Sequence, residues 1–407
     1  MTQPIPMSAP DLTAAEVAAV NQVLATPYLS LGPRLEAFEG AVAAYAGVAS
    51  GVGVNSGTSG LHLCVIAALR DDAPDPAAGE GELVLTSPFS FVASANCILY
   101  ERAVPLFVDV DPTTGNIDPA LVAEALHDLG RDGPAATRWL PPALRCASPT
   151  ARRCPKAILP VHAFGQPANM DPLLDLARLY GLAVVEDACE ALGAEYKGRR
   201  AGALGDAAVF AFYPNKQMTT GEGGMIVTSR DGWAGLFRSL RNQGRDVFDA
   251  WLNHTRLGYN YRLDEMSAAL GLAQMARIEE LLARRARVAG WYAERLAGLD
   301  LVERPGIAPT TTRMSWFVYV VRIRPPARRD DVLRHLAGDG VPSRPYFTPI
   351  HLQPFYRRCF GYGRGDFPVT EHLGDVSLAL PFSGVMTESQ VDRVCDALRA
   401  ALATRGD

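Results

Sequence analysis

Between Val52 and Thr228 short apolar runs alternate with stretches of helical periodicity. The runs at 83–85, 105–108, 157–159, 183–185, 207–212 and 225–227 are apolar at consecutive positions, which suits strands covered on both faces in a largely parallel sheet. Between them, Leu61, Cys64, Val65 and Ala68 fall at i, i+3, i+4 and i+7, so a helix is expected from about Leu61. A second apolar stripe covers 171–180 behind an acidic first residue. Strand and helix in alternation predict a doubly wound α/β domain. After Asp264 one long helical pattern begins, with Met266, Leu270 and Ala273 on one face, and runs to about Leu299. Further on, 316–324 alternates as a strand, and Thr387 with Gln390 forms a capping box before Val391, Val394 and Leu398. The pattern divides the chain into a large domain over 1–285 and a smaller C-terminal α+β domain over 286–407.

Two stretches break the alternation. Residues 71–82 hold five acidic residues and no basic one, and 129–155 is rich in Arg, Pro and Ala without periodicity. Both read as surface loops. The second carries Arg131, Arg138, Arg145, Arg152 and Arg153, for which a solvated loop is a sufficient explanation, and no function is assigned to it.

The 407 residues are enough for two or three domains and a large core without disulfide or metal staples. The 39 Lys and Arg against 44 Asp and Glu leave a net charge of −5, mild and mixed, so neither nucleic acid nor a membrane surface is an expected partner. Seven cysteines without a Cys-x-x-Cys pair suit reduced thiols in a cytoplasm, and no His/Cys/Asp cluster has metal-ligand spacing. No basic start precedes an apolar stretch, and no apolar run approaches the roughly 20 residues that span a bilayer. A cytoplasmic protein is expected.

The chemistry concentrates at three sheet ends. Lys216 stands between a buried strand and the glycine-rich turn Gly221-Glu222-Gly223-Gly224, where partial loss of hydration makes the neutral amine needed for a Schiff base accessible. The strand at 183–185 runs into Glu186-Asp187 and delivers a carboxylate to the same carboxyl edge, where open α/β sheets bind ligands. Asn55-Ser56-Gly57-Thr58-Ser59-Gly60 lies between a strand and a helix start, a setting for an anion. A lysine for an aldehyde, an acid for a ring nitrogen and a phosphate cradle are the needs of pyridoxal 5'-phosphate. A dinucleotide fingerprint at Gly51-x-Gly53 fails because Ser56 stands where its third glycine belongs, which disfavours a nicotinamide oxidoreductase.

Taken in order, several segments resemble the DegT/DnrJ/EryC1/StrS family of sugar aminotransferases. They are Leu29-Ser30-Leu31-Gly32-Pro33, the Asn55 to Ser59 loop, Thr86-Ser87-Pro88-Phe89-Ser90-Phe91-Val92-Ala93-Ser94, Pro160-Val161-His162-Ala163-Phe164-Gly165-Gln166-Pro167 and Val185-Glu186-Asp187-Ala188-Cys189-Glu190. Lys216, Leu257-Gly258-Tyr259-Asn260-Tyr261-Arg262 and Pro349-Ile350-His351-Leu352-Gln353-Pro354 continue the match, which covers nearly the whole chain.

The resemblance implies the aspartate-aminotransferase-like fold (fold type I), with a mainly parallel mixed sheet in the large domain. It makes Lys216 the Schiff-base lysine and general acid/base, and Asp187 the partner of the pyridinium nitrogen. Phe91 matches the aromatic that stacks on the ring, and Gly57, Thr58 and Ser59 match the phosphate loop. Asn260 matches a segment that reaches the cofactor phosphate from the neighbouring subunit of a homodimer. Two positions depart from the pattern. The family often has Gln or His where Glu190 stands, near the phenolic oxygen, and Ser where Ala211 stands. As a cofactor contact Glu190 must either hold a proton or point elsewhere, and Ala211 offers no hydroxyl to the phosphate.

The implied reaction moves an amino group from L-glutamate to a nucleotide-linked keto-deoxysugar, giving an amino sugar. An aminocyclitol aminotransferase using L-glutamine is the alternative within the same chemistry, and a non-catalytic cofactor-binding regulator is the alternative outside it. A dehydratase branch of the family has histidine in place of the lysine, and Lys216 argues against it. His62 reads as a structural histidine and Cys189 as an inert buried thiol, while His162 suits either the cleft or buried packing. His351 and Tyr346 are candidates for the substrate channel, and Phe89 and Tyr213 read as core aromatics.

Overall fold

The structure, a computed structural model, describes residues 5–70, 80–131, 133–145, 155–246 and 253–403. Most of the acidic stretch at 71–82, and Arg152 and Arg153 of the basic one, lie outside the described residues.

The six apolar runs all become strands of one seven-stranded sheet. Its order is Ser50–Val54, Gly224–Thr228, Ala207–Ala211, Ala183–Asp187, Pro155–Leu159, Leu83–Thr86 and Val104–Phe107. The five strands from Ala207–Ala211 to Val104–Phe107 pair in parallel, whereas Gly224–Thr228 runs antiparallel to both its neighbours. Helices cover both faces, so the strands carry apolar residues on both sides: Val209 and Ile226 pack under the helix Gly57–Arg70, and Phe210 and Met225 pack on the opposite side. Each such side chain contributes about 1.5–3 kcal/mol by leaving water. The approach of that helix is close, because a Cβ on Gly60 would stand 2.7 Å from Val209 Cγ1.

Local chemistry moved three expected boundaries. The helix expected from about Leu61 starts at Gly57. Ser56 closes its first turn, its hydroxyl accepting from Ser59 N at 3.1 Å and its carbonyl from Gly60 N at 3.1 Å. The long pattern after Asp264 is two helices, Glu265–Met275 and Ile278–Arg295. Between them Arg277 leaves helical geometry, with φ −125°, and its side chain ties back to Asp11 and Glu16. The strand expected at 316–324 is confined to Tyr319–Ile323, since the carbonyls of Trp316 and Phe317 accept from Arg285 rather than from a ladder.

The basic stretch is less irregular than expected. Pro134 and Pro142 open two short turns, Pro134–Thr137 and the 3₁₀ turn Pro142–Leu144, as prolines do at a first helical position. Trp139, Leu140 and Leu144 lean on the core, and Arg138 pairs with Glu124 and Asp128.

A four-stranded sheet, ordered Val302–Glu303, Tyr319–Ile323, Ser377–Leu380 and Arg344–Pro345, forms the C-terminal body with the helix Glu388–Ala403. The capping box at Thr387 and Gln390 is present in both directions. The proposed division at 285/286 falls inside Ile278–Arg295, whose Ile278, Leu281 and Leu282 belong to the core under the large sheet and whose Val288, Ala289 and Tyr292 belong to the C-terminal core. Ile5 also packs in the C-terminal core, and Phe382 N donates to Met7 O at 2.9 Å. Among the described residues no helix is long and apolar enough to cross a membrane.

Candidate active site

A cavity of about 420 Å3 opens at the carboxyl edge of the large sheet. Its walls come from the start of the helix Gly57–Arg70, the segment around Phe91, the end of the strand Ala183–Asp187, the turn holding Lys216, and Phe317, Tyr346 and Phe347 of the C-terminal part.

Lys216 sits in the turn that follows the strand Ala207–Ala211, its N–H donating to Tyr213 O at 2.9 Å. Its Nζ stands 3.6 Å from Glu190 Oε1 and 4.0 Å from the centre of the Phe317 ring. The first neighbour is a carboxyl group and the second presents its π face to the nitrogen.

The consecutive carboxylates Glu186 and Asp187 project to opposite faces, as successive strand residues must. Asp187 faces the cavity, where Oδ2 accepts from Ser94 Oγ at 2.6 Å and Oδ1 from Cys189 N at 3.2 Å. Glu186 is turned away and fully buried, bonded to His162 Nε2 at 2.9 Å and to the N–H groups of Gly202, Leu204 and Gly205. Burial alone would raise its pKa, but the His162 hydrogen bond and charge and the backbone donors outweigh it and hold the carboxyl below the ordinary range.

Glu190 points into the cavity. Its Oε2 accepts from Phe164 N at 2.9 Å, and burial raises its pKa against the opposing pull of the Lys216 charge. Burial and the neighbouring Asp187 push the Cys189 thiol well up, which keeps it protonated as expected of an inert thiol.

At the opposite wall the helix start presents Ser56, Gly57 and Thr58. The first amides of a helix have no partner within it, so this end favours an anion. Gly57 is needed here, because a Cβ would lie 2.8 Å from Ala211 Cβ and 2.9 Å from Cys189 Sγ. Ser59 does not line the cavity; its hydroxyl is turned into the loop, donating to Asn55 Oδ1 at 2.7 Å. Phe91 forms an exposed wall, at 63% of its surface.

Asn260 is exposed and does not line this cavity within one chain. Tyr259 and Tyr261 on either side of it turn inward, stacked at 5.0 Å, with hydroxyls on Glu101 at 3.1 Å and on His62 at 3.2 Å. His62 also bonds Glu101 at 2.8 Å, which makes it structural as expected. His162 is buried against Glu186, and His351 is buried against Glu371 at 3.1 Å, so neither lines the cavity, whereas Tyr346 does.

Tyr213, expected in the core, is instead exposed and lines the cavity, and sequence reasoning gave no role to Ser94, Asn215, Glu222 or Phe317, which line it too. Ser94 stood inside a quoted segment, but only the fold brings it to Asp187. Asn215 Oδ1 is buried with no hydrogen-bond partner among the described residues, an acceptor left for a ligand.

A cavity lysine, a carboxylate at the end of an adjacent strand and a helix start with hydroxyls and a tight glycine define the site of a fold type I pyridoxal-phosphate enzyme. The comparisons agree. The profile of the DegT/DnrJ/EryC1/StrS aminotransferase family matches residues 10–399. GDP-perosamine synthase of Caulobacter vibrioides is 39% identical over 402 residues, 98% of each chain. The spore coat polysaccharide biosynthesis protein SpsC of Bacillus subtilis is 32% identical over 409 residues, 97% of this chain and 96% of that one. The crystal structure of DesV from S. venezuelae superposes with a TM-score of 0.83 at 34% identity and covers 100% of both chains. The chain belongs to the DegT/DnrJ/EryC1/StrS aminotransferase family, and it is an aminotransferase whose cofactor is pyridoxal 5'-phosphate.

Proposed function

We propose that this enzyme transfers the amino group of L-glutamate to the ketone of a nucleotide-linked deoxysugar, as a homodimer whose two sites are shared. The observation that carries the substrate reading is a second cavity of about 970 Å3 that shares Ser90, Phe91, Tyr346 and Phe347 with the first. A small keto acid has no use for that space, whereas an acceptor with a large appended group does. Its walls include the aromatic rings of Tyr100, Phe355 and Tyr356, with Arg358 beside them, a setting for a flat base and a negative linker. The relationship to GDP-perosamine synthase supports the same class.

Bound pyridoxal phosphate supplies an electron sink for the carbanion formed at the amino-bearing carbon. The chain supplies the rest. Lys216 would bind the aldehyde, Asp187 would keep the ring nitrogen protonated, Ser56, Gly57 and Thr58 would take the phosphate, and Phe91 would cover the ring. Released by the donor amine, the Lys216 Nζ would take a proton from the donor carbon and return it two atoms away, across the nitrogen, and on the acceptor it would run the same transfer backward. Ser94 fixes the rotamer of Asp187. Glu190 compensates the charge of Lys216 whenever that nitrogen holds its extra proton.

The test is the visible spectrum of the loaded protein with L-glutamate and, separately, L-glutamine, followed by turnover with nucleotide-linked keto sugars. Loss of the visible band with glutamate and amino-sugar formation support the proposal. Bleaching with glutamine alone would favour an aminocyclitol acceptor, and no turnover with any nucleotide sugar would overturn the acceptor class.

A further inference from the structure

Arg285 lies in Ile278–Arg295 where that helix passes from one core to the other, and it is 3% exposed. Burial lowers its guanidinium pKa to about 10, with Asp11 acting in the opposite sense. Its hydrogen bonds go to four carbonyl oxygens. Nη2 donates to Asn215 O at 3.1 Å and to Lys216 O, and Nη1 donates to Phe317 O at 3.1 Å and Trp316 O at 3.4 Å.

A guanidinium is a rigid plane with five donors, so the segments it bridges are held at a fixed spacing. One segment carries Lys216 and the other carries Phe317, whose ring is 4.0 Å from the lysine Nζ. Neither stretch belongs to a strand or helix at those positions, so regular secondary structure does not fix their separation. Gln217 adds a neutral tie between the same segments through Ser315, at 2.9 Å to Oγ and 3.2 Å to O.

We infer that Arg285 is a positioning residue that clamps the Lys216 turn to the 316–317 segment and thereby aims the lysine amine across the Phe317 ring into the cavity. The inference rests on Lys216 being the cofactor lysine. It makes a residue remote from the sheet edge responsible for the readiness of the amine, not for the shape of the phosphate cradle.

The test uses cofactor-free protein and two ligands. Pyridoxal 5'-phosphate moves its absorption band to longer wavelength than that of the free aldehyde only when it bonds an amine, and this displaced band is the one followed, whereas pyridoxamine 5'-phosphate occupies the cavity without bonding Lys216 and its Kd is read from tryptophan fluorescence. Arg285→Lys keeps a charge but cannot reach all four carbonyls, and Phe317→Leu removes the ring while leaving the clamp, so the test stands even where Arg285→Met fails to fold. Both variants are expected to slow band formation by about tenfold or more, corresponding to about 1.4 kcal/mol, with the pyridoxamine phosphate Kd of Arg285→Lys, whose substitution lies outside the cavity wall, within about twofold of wild type. The double variant is expected to be no slower than the slower single one, as for two steps of one path. Band formation at the wild-type rate in Arg285→Lys, or a Kd that weakens in parallel with the rate, would overturn the inference. A full band in Lys216→Ala would instead overturn the lysine assignment beneath it.

Discussion

The Nζ of Lys216 and Oε1 of Glu190 stand 3.6 Å apart in a site where both side chains are largely buried. Burial raises the Glu190 carboxyl pKa, while the Lys216 charge and the Phe164 N–H oppose the rise. The sequence left open whether this acid would hold a proton or turn aside. It does not turn aside, and in its ionised form it faces the lysine nitrogen as a counter-charge.

Glu190→Gln therefore separates charge from shape. Removing an anion beside the nitrogen disfavours the protonated form, so the pH midpoint of the visible band of the loaded enzyme should fall by about one unit, or about 1.4 kcal/mol. Titration of absorbance against pH reads the effect. An unmoved midpoint would mean that Glu190 is already uncharged in the loaded enzyme.

Ser94→Ala removes the 2.6 Å hydrogen bond to Asp187 Oδ2 and leaves Cys189 N as the remaining donor. The loss of one hydrogen bond to a charged group, about 1.5–3 kcal/mol, should lower kcat by roughly ten- to a hundredfold. Because the phosphate cradle is untouched, cofactor affinity should change less than kcat. Steady-state kinetics beside cofactor titration would check this, and an unchanged kcat would remove Ser94 from the positioning of Asp187.

Acid should loosen the N-terminal helix Ala14–Leu24 through Glu16. This carboxylate is 1% exposed. Its burial penalty is outweighed by Thr13 and Gln274, which bring its pKa down from 4.5 to about 2. A folded pKa below the unfolded one gives stability that is fully present above about pH 4.5 and is lost as pH falls toward 2. Glu16→Gln should cost about 3 kcal/mol at pH 7, and the gap between the two proteins should close over that acid window. Urea unfolding at several pH values reads the difference; a gap independent of pH would assign the effect to packing alone.

Much of this was legible in the chain because strands buried on both faces leave unbroken apolar runs, as at 183–185 and 207–212, and these two runs aim Asp187 and Lys216 at one edge. Helix ends were less legible. Nothing periodic marks Gly57 as a helical residue, since Ser56 closes that turn by side chain and carbonyl. Ser94 and Phe317 could not be assigned because their roles arise from contacts across the fold, to Asp187 and to Lys216. Ser59 was legible as part of the loop but not in its direction, which its bond to Asn55 decides.

Asn260 tests the shared site. Within one chain it is exposed, while Tyr259 and Tyr261 pin the backbone on either side to Glu101 and His62. The carbonyl of Tyr261 also accepts from Asn55 N at 2.9 Å, so the same arm braces the phosphate loop of its own chain. Such an arm holds Asn260 outward at little entropic cost on binding. If it completes the site of a second copy, Lys216→Ala and Asn260→Ala damage opposite chains of each site. Each variant alone should lose most activity, Lys216→Ala by at least about ten-thousandfold. Unfolded together in equal amounts and refolded, half the dimers would be mixed, and each mixed dimer would hold one intact site, returning about a quarter of wild-type activity. No recovery, with both variants dimeric by sedimentation and mixed dimers demonstrated by affinity tags, would confine each site to its own chain.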